Sequence, residues 1–231
     1  MATTSSSTYT FNPSIAQVTV QAFHMCGVRP TALLQEHMES ARMAANFVIG
    51  DWANKGVNLW KVSGVVIPFV EGLASYIVPI SIVEILDLYM TVTSGAYTNN
   101  RYLLPVSRTE FVSYPNPTQQ AFPTVYWHNR TLTPTINFYP TPDGNQTSFT
   151  YYSVSQIQDA AFTNEQVADI PYLWLNAFVK ALAAELAVMW APDKAMMLSS
   201  AATAAWTAAA LTNTENANFY IAPSLSGYWR S

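Results

Sequence analysis

The chain has 231 residues, of which 50% are hydrophobic and only 10% are charged, and its formal net charge at pH 7 is −4. An ordinary soluble domain has about 25% charged residues, so little charge is available here to cover the surface of a monomer. Lys and Arg total 10 and form no basic cluster, which argues against tight binding of nucleic-acid phosphates. Either Ser, Thr and Asn cover the surface or other subunits cover much of it, and we favour the second interpretation.

The first 13 residues are mostly polar, with no basic residue and no apolar run. They do not resemble a signal peptide, and we expect residues 1–13 to form a flexible N-terminal arm. Cys26 is the single cysteine, so an intrachain disulfide is excluded and folding in a reducing compartment is expected.

Two helices are expected after this arm. Residues 12–14 (Asn-Pro-Ser) combine a capping side chain with a proline, which is typical of a helix start, and Gly27 provides a stop. Thr31 is expected to cap a second, longer helix that is ended by Gly56. The apolar stripe of this second helix advances in steps of four and three and ends at Trp52, so the sequence predicts a helical hairpin with Trp52 in the core.

Residues 57–156 change to short β-rich runs separated by prolines. The runs cover residues 65–67, 76–78, 82–90, 124–127, 136–139 and 149–152. Proline at this density fits strand ends and edges, and short strands with such turns predict a small antiparallel β-sandwich or open barrel. One helical turn is expected at residues 108–111 within this region.

Two further helices are expected near the C-terminus. Asp169 is predicted to cap the third helix, with Pro171 in its first turn and Pro192 at its end. The fourth helix, residues 193–211, is rich in alanine and lacks a polar face of the usual kind. The irregular tail, residues 214–231, is rich in aromatic residues. Both segments are expected to dock on another protein or on a neighbouring subunit. The predicted contact residues are Met196, Met197, Ala204, Trp206, Ala208, Phe219, Tyr220, Tyr228, Trp229 and Arg230.

The third helix is long and apolar enough to be considered as a membrane span. Lys180 and Glu185 lie in its middle, however, where a charge is costly in lipid, and many of its apolar residues are the weakly hydrophobic alanine. We therefore expect a buried or interface helix and no membrane span.

The expected fold is α+β: a bundle of about four helices, an inserted small antiparallel β-sandwich or open barrel, and an extended C-terminal tail. The expected domains are the arm at 1–13, the bundle from 14–56 and 169–213, the β domain at 57–156 and the tail at 214–231.

Histidines give no sign of a metal or catalytic site. His24, His37 and His128 lie on separate predicted elements and lack close Cys, Asp or Glu neighbours at metal-ligand spacing. The sequence also lacks a nucleophile elbow and a P-loop, so acyl transfer and nucleotide hydrolysis lack their scaffolds. We predict no catalytic residue, no metal and no cofactor.

Cys26 and two pairs of carboxylates are the remaining candidates for chemistry. Cys26 lies at the expected C-terminal end of a helix, where the helix dipole raises the pKa of a thiol. Glycan cleavage needs only two carboxylates, and Glu84 with Asp87 or Glu36 with Glu39 could supply them. We interpret these as solvated charges, because Glu84 and Asp87 fall on opposite faces of a regular strand while Glu36 and Glu39 share an exposed helix face.

Several short motifs occur in a fixed order along the chain. They are Gly-Val at 27–28, Trp-Ala-x-x-Gly at 52–56, Tyr-x-x-Pro at 76–79, Ser-Arg-x-Glu-Phe at 107–111, Pro-Asn at 115–116, an aromatic strand after proline at 123–127, Tyr-Pro-x-Pro-Asp at 139–143 and Asp-x-Pro at 169–171. In this order they resemble the head-to-tail adaptor family of short-tailed bacteriophages, also described as tail accessory or packaged-DNA-stabilisation proteins. The resemblance covers about residues 14–190, and it departs at 121–122, where Ala-Phe replaces the Gly-Arg frequent in relatives.

The resemblance implies a structural virion protein, assembled in the host cytoplasm, that forms a ring of about twelve copies between the portal and the tail nozzle. Double-stranded DNA would pass through this ring without sequence-specific binding, and the tail fibres are further possible partners. The alternative is a virion-associated enzyme such as a glycan hydrolase.

Overall fold

The computed structural model describes residues 8–56, 58–161 and 166–214. These residues form five α-helices and two four-stranded sheets, so the α+β prediction is confirmed. The helices are α1 (Ile15–Cys26), α2 (Gln35–Asn54), α3 (Arg108–Ser113), α4 (Tyr172–Trp190) and α5 (Ala195–Ala210). The strands are β1 (Val62–Pro68), β2 (Ser75–Ile77), β3 (Ile82–Ser94), β4 (Tyr97–Tyr102), β5 (Leu104–Pro105), β6 (Val125–Asn129), β7 (Thr135–Tyr139) and β8 (Ser148–Ser155).

Helix α4 is the centre of the helical bundle. Helices α1, α2 and α5 all pack against it, and the four helices share one apolar cluster. The expected hairpin of α1 and α2 is therefore wrong in its main contact, because each of these helices packs on α4 more than on the other. A helix with apolar residues around its whole circumference is buried by neighbours on several sides, and α4 has that composition.

Trp52 is 3% exposed, and the prediction that it belongs to the core is confirmed. Its ring contacts Trp174 and Phe178 of α4 at centroid distances of 5.2 and 5.8 Å. Trp52 thus connects the last turns of α2 to the first turns of α4.

By length and composition, α4 is the one helix in the described part of the chain that could cross a membrane. Its packing against three other helices is that of a core helix in a globular bundle.

Helix α1 begins two residues later than the Asn-Pro pair suggests, at Ile15 with Ser14 as its cap. The Oγ of Ser14 accepts a hydrogen bond from the N–H of Gln17, and the Gln17 side chain accepts one from the N–H of Ser14. This reciprocal pair is a capping box, which satisfies two amides at the helix start. The predicted stop is confirmed, since Gly27 follows α1 with φ of 92°, a conformation that favours glycine.

Helix α2 does not begin at Thr31, which instead lies in a short 3₁₀ turn, Pro30–Ala32. The helix starts at Gln35, and the N–H of Leu34 donates to Nδ1 of His37 at 3.1 Å. No side chain caps the first amides of α2, and the His37 imidazole instead reaches back to the amide of the residue before the helix, a partner that sequence preferences for capping residues do not anticipate.

Helix α4 starts at Tyr172 with Pro171 as the residue before it, so Asp169 is not the cap that the sequence predicts. The Asp169 carboxylate instead binds Lys61 Nζ at 2.6 Å and accepts the N–H of Gln158 at 3.1 Å. Asp169 therefore links the segment before β1 to the connector after β8. These are the two places where the chain enters and leaves the sheets.

We expect Asp169→Ala to lower the free energy of unfolding by about 1–3 kcal/mol, because it leaves a partly buried ammonium and an amide without their acceptor. The side chain of Lys61 is 14% exposed, so water only partly replaces the lost contact. Asp159→Ala is the matched control, since this exposed residue lies in the same connector. Urea unfolding followed by circular dichroism measures both, and equal midpoints for the two variants would contradict the assignment.

The strands form two packed sheets with the orders β1-β8-β3-β4 and β2-β7-β6-β5. Between them lies an aromatic core in which Phe69, Tyr76, Phe138 and Phe149 contact one another at centroid distances from 4.8 to 6.0 Å. The predicted sandwich is confirmed, although β5 pairs with β6 in parallel and makes the second sheet mixed. The one-turn helix expected at residues 108–111 is α3, which extends to Ser113.

Candidate interaction surfaces

The outer face of α5 is exposed and uncharged. Only Leu198 and Ala209 of this helix are buried, and no charged residue occurs at residues 195–214. Four of the predicted contact residues lie on the exposed side, namely Met196, Met197, Ala204 and Ala208. We call this surface the α5 outer face.

Both threonine hydroxyls of the α5 outer face are bonded within the helix. The Oγ1 of Thr203 donates to the carbonyl of Ser199 at 3.0 Å, and the Oγ1 of Thr207 donates to that of Thr203 at 2.9 Å. A hydroxyl bonded to the preceding turn has no proton left to donate outward. The face is therefore more apolar than its threonine content suggests.

Trp206, also predicted as a contact residue, lies partly inside the bundle. Nζ of Lys55, the residue that follows α2, lies 5.3 Å from the centroid of the Trp206 ring. The ring also lines a cleft between α2 and α5, so Trp206 helps to hold α5 against α2.

The remaining predicted contact residues lie outside the described part of the chain. They are Phe219, Tyr220, Tyr228, Trp229 and Arg230.

Two apolar grooves flank α4, and sequence reasoning missed both. The α1–α4 groove has a volume of about 780 Å³, and the exposed side chains of Phe11, Tyr172 and Leu173 lie along it. The α2–α4 groove has a volume of about 470 Å³. Its exposed apolar residues are Met43, Phe47, Val188 and Met189. Each groove joins helices far apart in the chain, so no local pattern indicates it.

The histidines lie in three different settings. His24 is exposed on α1, whereas His37 is buried and stacks on Trp190 at a centroid distance of 4.1 Å. Burial and the nearby Arg130 guanidinium lower the pKa of His128. Across the described residues, no three of the His, Cys, Asp and Glu side chains come together as a metal site.

Cys26 is buried, and its Sγ donates to the carbonyl of Ala183 at 3.4 Å. Burial raises the pKa of this thiol, against the lowering effect of Lys194. The predicted direction is confirmed, but burial is the main cause rather than the helix end. A buried thiol with a raised pKa is a poor nucleophile.

Glu84 and Asp87 share one face of the first sheet, contrary to the expectation for a regular strand. Irregularities in β3 place them opposite Val154 and Tyr152, which are two residues apart on β8. The carboxylate of Glu84 accepts from Arg130 Nη2 at 3.0 Å. The hydroxyl of Tyr102 donates to Asp87 at 3.4 Å. Each carboxylate is thus bonded to a separate neighbour on an exposed surface.

A family model described as SU10 adaptor protein matches residues 32–219 of the chain. The chain belongs to this family of phage head-tail adaptors. No curated protein matches the chain. The adaptor is therefore a structural protein of a bacteriophage and a virion component, and it assembles with other phage structural proteins.

The extent of the family match differs from the expected one. It begins after α1 and continues through α5 into the tail, whereas the resemblance was expected to cover residues 14–190. The α5 outer face thus lies within the part of the adaptor that matches the family.

The adaptor motif at residues 107–111 covers the outer side of the second sheet. The Oγ of Ser107 accepts the N–H of Glu110 and so caps α3. Phe111 then packs on Trp127 of β6 at a centroid distance of 5.6 Å.

The Pro-Asn and Tyr-Pro-x-Pro-Asp motifs complete this cover. Tyr114 stacks on Tyr139 at a centroid distance of 4.6 Å. The Tyr139 hydroxyl donates to the carbonyl of Pro115 at 2.7 Å, and Asp143 accepts from Gln146 Nε2 at 2.8 Å. These motif residues attach the segment after α3 to β7 and fix the turn that follows β7.

Proposed function

We propose that this adaptor is a structural ring protein that joins the portal to the tail nozzle and forms part of the DNA channel used to retain and eject the genome. A ring of about twelve copies, assembled in the host cytoplasm, fits the symmetric assemblies of such proteins. The tail fibres are further possible partners. In this role the chain has no catalytic residue and no cofactor.

The observation that carries the proposal is the α5 outer face. A helix of 16 residues with no charge presents Met196, Met197, Ala204 and Ala208 to the outside. Contiguous apolar surface of this kind is uncommon on monomers and is typical of protein–protein contacts. Because the aromatic tail follows α5 directly, we assign this face and the tail together to the portal.

The charge balance supports a DNA conduit. The chain carries 14 Asp and Glu against 10 Lys and Arg. A basic lumen would bind the phosphates of the passing duplex, whereas an acidic or neutral one lets it slide.

We further propose that the sheets form a domain, residues 57–156, inserted into the helical bundle. The apolar cluster of the helices and that of the sheets share no buried residue. Separate cores of this kind support two units.

Particles assembled without the adaptor distinguish the ring from the enzyme alternative. We expect heads that contain the portal but lack tails and lose their packaged DNA, measured by electron microscopy and by DNA protected from nuclease. Tailed particles that keep their DNA but fail to degrade host glycan would instead favour a virion-associated hydrolase.

Deletion of residues 219–231 tests the role of the tail. We expect almost unchanged thermal stability but loss of portal docking. The contacts of aromatic anchors such as Tyr228 and Trp229 with the partner offset the conformational entropy that a tail loses when it becomes ordered there. Arg230 adds a charge-assisted bond to a partner carboxylate. Deletion of residues 1–7, at the N-terminus, is the control for this variant. A truncated protein that docks and retains DNA would show that the helices carry the contact.

A further inference from the structure

We propose that neighbouring copies contact each other head to tail, with the α1–α4 groove of one copy packed against the α2–α4 groove of the next. The inference deepens the proposed ring and rests on it. Its occupant is a second copy of this chain, and three features of the described residues support that choice.

The first feature is the placement of the grooves on α4. Leu173 and Asn176 line one groove, and Val188 and Met189 line the other. With 3.6 residues per turn, the two pairs point in directions about 140° apart, and they are separated by about 20 Å along the helix axis. Unlike surfaces on different sides of a subunit produce a heterologous contact, which closes into a ring when the rotation allows it.

The second feature is the composition of the grooves. Leu173 is 62% exposed and Met189 is 55% exposed, although both belong to the central helix of the bundle. The first groove presents aromatic Phe11 and Tyr172, and the second presents Met43 and Phe47. Aromatic and methionine side chains are enriched where protein surfaces meet, and methionine adapts its shape to a partner.

The third feature is the complementary charge beside the grooves. Lys180 follows Asn176 by one helical turn on the α1–α4 side, and the residues lining that groove carry no charge. Glu185 lines the α2–α4 groove. Five residues apart on a helix, these two side chains point about 140° away from each other and cannot pair within one copy. Among the described residues neither has an ion-pair partner.

Cross-linking in assembled particles tests the geometry. In particles carrying the double variant Leu173→Cys/Met189→Cys, a short bis-maleimide should give a ladder of dimers, trimers and larger species on a denaturing gel. Each single variant should remain monomeric, because a head-to-tail contact brings residue 173 of one copy to residue 189 of the next. The native Cys26 is buried, and the unsubstituted chain controls for it.

A dimer from either single variant would mean that like grooves meet, and it would overturn the proposal. If the double variant enters particles but gives only monomer on the gel, the proposal is overturned as well. The pair Asn176→Cys/Val188→Cys repeats the test on the same grooves if the first pair fails to enter particles.

Charge reversal provides an independent readout. Lys180→Glu or Glu185→Lys alone should reduce incorporation into particles about tenfold, because each places like charges across every contact. The double variant restores opposite charges across the contact and should return incorporation to near the original level. Failure of the double variant to recover would contradict the pairing. The two proposals can fail separately. If the cross-linked ladder forms but the adaptor lies away from the portal, the proposed function is refuted and the contact between copies still stands.

Discussion

Replacement of Trp52 by alanine is expected to lower the free energy of unfolding by about 3–5 kcal/mol. The indole is almost completely buried where α2 meets α4, and it contacts Trp174 and Phe178 there. Truncation leaves a cavity lined by aromatic rings, which cannot collapse because α4 is held by three helices. The loss should appear in equilibrium unfolding by urea, followed by tryptophan fluorescence and by circular dichroism.

Phe47→Ala is the matched control for this variant, since Phe47 lies on the same helix and is 64% exposed. We expect a change of less than about 1 kcal/mol for the control. An unchanged melting curve for Trp52→Ala would show that the junction of α2 and α4 is not part of the stabilising core.

The double variant Ala204→Glu/Ala208→Glu is expected to block incorporation of the adaptor into particles while leaving the fold intact. Both alanines are exposed, and they lie one helical turn apart on the α5 outer face. Two carboxylates there would lose their hydration against an apolar partner, which is costly without a compensating cation. Incorporation is measured on gels of purified particles, and folding by circular dichroism.

Ala204→Ser/Ala208→Ser is the control for this variant, because serine is small and uncharged. It should enter particles at close to the normal level. Normal incorporation of the glutamate variant would mean that the α5 outer face stays in water in the assembled virion.

The helices of this chain could be predicted because their apolar and alanine-rich patterns are long. Their starts were less accessible to sequence reasoning, since capping depends on tertiary partners. Asp169 looks like a cap but bonds Lys61, which lies 108 positions away in the chain. At the start of α2 the amide of Leu34 bonds the imidazole of His37, although histidine is not a common partner there.

Strands β4 and β5 were missed for a different reason. Every residue of β4 is exposed, so the strand has no inward apolar positions from which a period of two could be read. Strand β5 is two residues long and pairs in parallel with β6. Both strands can be recognised only from the neighbouring strands with which they pair.

The candidate surfaces were predicted in part. The lack of charge along α5 indicates an interface from composition alone, and the structure places four of its predicted residues outward. The exposed side of α4 changes along its length, however, since Leu173 near its start and Met189 near its end line different grooves. Leu173 and Met189 therefore look like core residues in the sequence, and the grooves appear only when the helices are assembled.

Electron microscopy of the purified adaptor together with its portal tests the central claim most directly. We predict a ring of about twelve copies stacked on the tail side of the portal, with α5 facing the portal and an open channel along the axis. Portal complexes without added density, or adaptor bound elsewhere on the virion, would contradict the account.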